Sequence, residues 1–274
     1  MVAFADWEGE MVGYFGTEMQ QRLQARAEVA AELIASTPGA CQAGRTMGCD
    51  DPDKFGWDRI GEIIEQDGVC GFRLIDTDHV EEIRSELSSR ACRLDTWDVF
   101  LADRETALAA SEKFAHLPLP AEYSLSPTPI DPESDHMRRL QAMMAGAGLV
   151  PFSGSMLTGA VGSATTVLIG DAEGNVAACA HGYMPHNAYS PYHGYAWGGL
   201  VAVAEPHRGK GLGKVINALM IDRVFRDLKA SHIYELVSAS NVVSRRMIEA
   251  CGLRLEPTLT CGIATPNKSG RFTK

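Results

Sequence analysis

Leu200-Val201-Ala202-Val203-Ala204-Glu205-Pro206-His207-Arg208-Gly209-Lys210-Gly211-Leu212-Gly213-Lys214 runs from an apolar strand pattern through a glycine-rich basic loop into the start of a helical pattern. Gly209, Gly211 and Gly213 remove side chains, so backbone N–H groups can turn toward an anion at close range. The loop empties into a helix whose first N–H groups lack internal partners and lie at the positive end of its dipole. Arg208, Lys210 and Lys214 crowd three cations into seven residues of a chain whose net charge is -10. The stretch reads as a phosphate-holding site.

A Walker A loop would need glycine at Arg208 and Ser or Thr at Val215, so that reading fails. A dinucleotide fingerprint has a different glycine spacing and no basic loop. What remains is Arg-x-x-Gly-x-Gly at Arg208, Gly211 and Gly213, after a strand carrying Val201-Ala202-Val203. This resembles the acetyl-CoA signature of the GNAT superfamily of N-acetyltransferases. A second segment agrees with it: Asn241, Ser244, Met247, Ile248, Gly252 and Leu253 fall at the spacings of that family's Asn-x-x-Ala-x-x-Leu-Tyr motif and the residues after it. The resemblance covers roughly Thr128 to Pro266.

Periodicity supports this order of elements. Asp131–Gly148 reads as a helix, Thr165–Gly170 and Val176–Tyr183 as strands around an Asp171–Asn175 turn, and Ala196–Val203 as a third strand. A helix after Gly213 buries Ile216, Leu219, Met220, Val224 and Leu228, with Asp222, Arg223, Arg226 and Asp227 facing water. Ile233–Ser238, Val242–Ala250 and Leu259–Ala264 read as strand, helix and strand, and Lys268–Lys274 as a frayed tail. The resemblance implies the topology: a mixed, splayed α/β sheet flanked by helices.

It also implies a mechanism. Backbone groups of Val201, Ala202 and Val203 would hydrogen-bond the pantetheine arm and polarise the thioester carbonyl. The loop of Arg208, Gly209, Lys210, Gly211, Leu212, Gly213 and Lys214 would hold the pyrophosphate, and Asn241 with Ser244 would contact the distal part of the cofactor. The tyrosine that often protonates the leaving thiolate is replaced by Ile248, and the strand position of a carboxylate base is Trp197. The family's usual acid and base are both missing.

Replacement candidates cluster upstream. His181 to Tyr195 holds three of the eight histidines and four of the seven tyrosines. Strand alternation places Tyr195 and Trp197 on the face of Val201 and Val203, joined by His193 if the strand begins that early. His193 or Tyr195 is the candidate for proton transfer, with Tyr183 and Glu205 behind them. The other reading is that these aromatics pave a substrate pocket or a subunit contact, and Glu205 simply begins a turn. A metal site is not expected, because His181, His186 and His193 lack ligand spacing and a nearby carboxylate. Glu235, inside a strand, calls for an exposed edge or an arginine partner.

The first 125 residues carry no such motif, and they read as a separate α/β domain. Glu18–Ile34 reads as a helix-rich stretch, Gly44–Gly56 as polar loop, Val69–Ile75 and Trp97–Ala102 as strands, His79–Ser89 and Glu105–Ala115 as helices, and Tyr123–Ser126 as extended chain. The proline-rich stretches at Leu117 and Ser126 suggest a linker. The expected division is therefore 1–125, a GNAT domain at 126–266 and a tail at 267–274. Arg84, Leu87, Arg93, Leu94 and Asp95 parallel Arg245, Ile248, Arg254, Leu255 and Glu256 at a constant offset. Either the N-terminal region is a degenerate half of a tandem GNAT unit, or two short helix-strand units agree by chance. The small number of agreeing residues favours chance.

The chain is 45% hydrophobic and 22% charged, without an apolar run long enough for a membrane span. Asp6, Glu8 and Glu10 exclude the basic, then apolar pattern of a signal peptide. Seven cysteines at irregular spacings fit reduced thiols in a cytoplasm, Cys179 and Cys251 among them as core residues. The acidic balance argues against nucleic acid and favours amine substrates. The expected activity is acetyl-CoA-dependent N-acetyl transfer to a small-molecule amine. The alternatives are a silent acyl-CoA-binding module and a protein or peptide N-acetyltransferase. A homodimer is expected from family habit alone.

Overall fold

The computed structural model describes residues 12–269. The acidic start at Asp6, Glu8 and Glu10, and all of the expected tail beyond Ser269, lie outside the described residues. The N-terminal half runs α1 (Glu18–Val29), α2 (Ala31–Ser36), β1 (Ala40–Ala43), β2 (Thr46–Cys49), α3 (Pro52–Phe55), α4 (Trp57–Asp67), β3 (Cys70–Asp76), α5 (Val80–Ser89), β4 (Cys92–Asp103) and α6 (Arg104–Ala115). The second half continues with β5 (Tyr123–Ser126), α7 (Asp135–Gly146), α8 (Gly154–Thr158), β6 (Ala164–Asp171), β7 (Val176–Tyr183), β8 (Tyr195–Val203), α9 (Leu212–Asp227), β9 (His232–Val237), α10 (Val242–Ala250) and β10 (Arg254–Pro266).

One ten-stranded sheet joins the two halves in the order β1-β2-β3-β10-β4-β9-β8-β7-β6-β5. Within it, exchanging β1 with β7, β2 with β8, β3 with β9 and β4 with β10 reproduces the same neighbours. The pairing directions agree: β2 lies parallel to β3 as β8 lies parallel to β9, and the other pairs are antiparallel. Each half thus lends its last strand to the other, β10 between β3 and β4, and β4 between β10 and β9. The faint sequence echo is therefore structural, against the expectation of chance. Leu87 and Ile248, equivalent under that echo, are both buried.

The largest apolar cluster lies between the sheet and α9, with Ile216, Met220, Val224 and Phe225 fully enclosed. Burying four such side chains contributes on the order of 8 kcal/mol before entropy is counted. Asp222, Arg223, Arg226 and Asp227 form i,i+4 ion pairs on the opposite, solvent side, as the pattern predicts. The other face of the second half is covered by α7 and α8 through Met137, Leu140, Met144 and Leu157.

One N-terminal expectation is corrected. Gly44–Gly56 is not a polar loop: it forms β2 and α3, with Thr46, Cys49, Asp50 and Phe55 buried. Gly48 packs its backbone on Gly71, an approach of 2.6 Å for an added Cβ, so glycine there serves strand packing and not a turn. The helix-rich stretch expected over Glu18–Ile34 is α1 and α2, which meet at Ala30. The expected division after residue 125 falls inside β5, itself hydrogen-bonded to β6.

Candidate functional site

β8 and β9 pair in parallel only from Tyr195–His232 to Gly198–Glu235. Beyond that pair the ladder stops although β8 continues to Val203 and β9 to Val237, so the two strands part and leave ladder groups of β8 unpaired. Just past the parting, Leu200 has φ of 49°, a left-handed backbone that a non-glycine residue adopts only in a bulge or under strain. The β7–β8 register shifts between Cys179–Ala202 and His181–Gly199, so Leu200 is the inserted residue.

That insertion inverts the faces. Before it, Ala196 packs toward α9 and Tyr195 and Trp197 point to the other side; after it, Val201 and Val203 take the α9 side. Tyr195 therefore does not share a face with Val201 and Val203, contrary to simple alternation, because one extra residue switches every later side chain. Tyr195 stacks on His232 at 4.2 Å. His193 lies in the exposed turn before β8, its amide bonded to the Ser190 carbonyl, and not on the strand. Tyr183 is enclosed: its hydroxyl accepts from the Gly44 amide at 2.7 Å and donates to the Gln42 carbonyl at 3.1 Å. Burial pushes that phenol up to about 12. Glu205 is exposed in a single 3₁₀ turn.

At the head of α9, Gly209 and Gly211 have φ of 79° and 82°, and a Cβ on either would meet nothing within 4 Å. The amides of Gly209, Lys210 and Gly211 donate to no backbone carbonyl among the described residues. Gly211 is the N-cap of a 16-residue helix and supplies no side-chain cap. Open space, free donors and a long helix dipole fit a phosphate. Arg208 Nε donates to the Val203 carbonyl, tying the loop to the parted strand, and Lys214 lies over the Phe114 ring. Lys210 donates to the Tyr123 hydroxyl at 2.8 Å; that hydroxyl also meets His207 Nδ1 at 2.9 Å, and His207 approaches Asp171 at 3.5 Å. This Tyr123–His207–Asp171 brace was not legible beforehand, because its members come from three distant elements.

Asn241 caps α10, its side-chain oxygen accepting from the Ser244 amide at 3.1 Å. Met247, one turn on, lies 3.6 Å from the Cβ position of Gly213, bringing α10 beside the loop. Ile248, at the family's tyrosine position, is buried. Trp197, at its carboxylate position, lays its ring over Gly199, where an added Cβ would come within 2.3 Å.

Residues 146–253 match the model of the acetyltransferase (GNAT) family. The chain carries a GNAT acetyltransferase domain. No curated protein matches the sequence. Among solved structures, a GCN5-related N-acetyltransferase from Kribbella flavida superposes with a TM-score of 0.57 at 12% identity, covering 92% of this chain and 96% of that one. A Drosophila protein gives 0.58 at 14% identity, covering 92% and 90%. A tandem GNAT protein from the clavulanic acid biosynthesis pathway gives 0.53 at 14% identity, covering 89% of each chain. The GNAT fold thus extends over both halves, beyond the matched GNAT domain. The match ends at Leu253, before β10 crosses into the N-terminal half.

Glu235, the last β9 residue paired before the strands part, is 2% exposed. Contrary to the expected exposed edge or arginine partner, it is enclosed and accepts from Asn217 Nδ2 of α9 at 3.0 Å. Burial raises its carboxyl to about 7, with the Asn217 bond opposing the shift. His181 is fully buried, its Nδ1 on Thr166 Oγ1 at 2.8 Å, and burial lowers it to about 3. His186 does have a carboxylate neighbour, Asp50 Oδ2 at 2.6 Å, which lies 136 positions away in sequence. No helix among the described residues is long and apolar enough to cross a membrane.

Proposed function

We propose that the protein is an acetyl-CoA-dependent N-acetyltransferase acting on a small-molecule amine. The observation that carries this reading is the junction of parted strands with an open, uncapped glycine loop at the head of α9. Gly209, Lys210, Gly211, Leu212 and Gly213 would present amides to the pyrophosphate, with Arg208 and Lys214 adding charge. Val201, Ala202 and Val203 would hold the pantetheine along the unpaired edge of β8, and Asn241 and Ser244 would border the distal end. Acetyl-CoA supplies the activated acyl group. The amine nitrogen forms a bond to the thioester carbonyl carbon, the C–S bond breaks, and the electron pair leaves with sulfur; the proton lost by nitrogen ends on the thiol.

Positioning supplies most of the rate, since Ile248 has no proton to give and Trp197 no base. Neither His193 in its exposed turn nor Tyr195 on the far face adjoins Val201 and Val203, so an ordinary family base has no support from these positions. The N-terminal half braces the sheet through β4 and β10 and shapes the acceptor side. It lacks a cationic glycine loop before α4, where Asp51 and Asp53 stand instead, so one cofactor is bound per chain.

Thiol release from acetyl-CoA with a panel of small amines tests the reading. Release that depends on one amine class supports it. Tight acetyl-CoA binding with no release for any amine would replace it with the silent binding module, and release with peptides alone with a protein acetyltransferase.

A further inference from the structure

On the face of β9 opposite α9, directly before the strands part, Tyr234 points into a buried polar cluster shared by both halves. Its hydroxyl lies 3.3 Å from His186 Nε2, and His186 Nδ1 lies 2.6 Å from Asp50 Oδ2, which also accepts from Ser190 Oγ at 2.6 Å. The His186 and Asp50 side chains are 0% and 1% exposed. Arg73, on β3, is 6% exposed and reaches the same cluster, its charge felt by Cys41, Tyr183 and His186. Asp50 and Arg73 each follow one member of the Cys49–Phe72 pair that joins β2 to β3.

The accounting of polar atoms does not close. Arg73 Nε and Asp50 Oδ1 are both buried without a hydrogen-bond partner, and so are Trp197 Nε1 and His181 Nε2 beside the parted strands. No carboxylate forms an ion pair with Arg73 among the described residues, and its polar neighbours are the Tyr183 and Tyr234 hydroxyls and the Cys41 and Cys261 thiols. A buried guanidinium without a counter-ion and a buried carboxylate oxygen without a donor are both costly unless something fills both needs. A zwitterion does so: an anionic end for Arg73 and a cationic end for Asp50.

We propose that the acceptor is an α-amino acid, its carboxylate held by Arg73 and its amine set against Asp50 and His186 beneath the parting of β8 and β9. This rests on the acetyl-transfer reading, and it names the substrate class for that site. The His186–Asp50 pair would then take the ammonium proton, leaving the amine lone pair free for the thioester carbon. The cluster is closed to solvent here, so the β1–β2 hairpin or the turn from Asn187 to Tyr192 must move for a ligand to enter.

The test compares each common amino acid with its α-amide and its N-blocked form, by thermal melting without acetyl-CoA and by thiol release with it. An amino acid that raises the melting temperature and is acetylated, while its amide loses about 100-fold or more in kcat/KM, supports the proposal. Arg73→Lys and Arg73→Gln should raise KM for the amino acid about 100-fold or more; because the amide comparison uses the unaltered protein, it stands even if these variants do not fold. Equal use of amino acid and amide overturns the proposal while leaving acetyl transfer intact. Loss of acetyl-CoA binding overturns acetyl transfer, and the melting series then still decides whether amino acids bind. Stoichiometric zinc on Cys41, Asp50 and His186, with no response to any amino acid, also overturns it.

Discussion

Replacing Glu235 by Gln should stabilise the protein at alkaline pH and do little in mild acid. The carboxyl is enclosed between β9 and α9, and burial raises it from 4.5 to about 7. A carboxyl raised in the folded state binds its proton more tightly folded than unfolded, so its contribution is fully present below 4.5 and is lost as pH rises through 7. At pH 8 the ionised group costs the fold about 3 kcal/mol relative to a neutral one, at 1.36 kcal/mol for each pH unit between the two values. Glutamine keeps the acceptor for Asn217 Nδ2 and adds a donor for Asn217 Oδ1, which is buried without a partner. E235Q should therefore gain about 3 kcal/mol at pH 8, roughly 6 to 12 °C in melting temperature for a chain of this size, and under about 1 kcal/mol at pH 5. Urea and thermal unfolding of both proteins at the two pH values measure it. Equal differences at both pH values, or a variant weaker at pH 8, would refute the desolvation argument.

Two further substitutions probe the packing and the cap. Gly252 has φ of 95°, and an added Cβ would lie 2.8 Å from Ala110 Cβ and 2.9 Å from the Thr106 carbonyl, so Gly252→Ala should cost about 2 to 4 kcal/mol in chemical denaturation. Asn241→Ala removes the cap on the Ser244 amide and should lower stability by about 1 kcal/mol. If Asn241 also borders the cofactor, acetyl-CoA affinity measured well below the melting temperature should fall several-fold in the same variant; an unchanged affinity would reduce the residue to its cap.

The second half of the fold was legible because its signals are local. Val176–Tyr183 and Val242–Ala250 match β7 and α10 residue for residue, and the glycines and cations of the phosphate loop sit within seven positions. What the sequence hid depends on distant contacts. The bulge at Leu200 carries a leucine where glycine would have signalled a left-handed residue, so the face of Tyr195 was read from unbroken alternation. β2 and α3 were read as loop because Thr46, Gly48, Asp50 and Asp51 are polar or small, and their burial comes from β3 and from the turn after β7. The two-fold relation of the halves survives in few residues, of which Leu87 and Ile248, one in each half, are buried. Asp50 and His186, both buried and 2.6 Å apart, meet only when the two halves share one sheet.

Titration calorimetry with acetyl-CoA, on the parent chain and on Gly211→Glu, tests the central claim most directly. A Cβ at Gly211 meets no neighbour within 4 Å, so the glutamate places bulk and negative charge where the pyrophosphate would sit; its φ of 82° strains any side chain, so the variant's melting temperature is measured alongside. Micromolar binding by the parent and its loss in a folded Gly211→Glu protein is the predicted result. No acetyl-CoA binding by the parent, or equal binding by both, would contradict it.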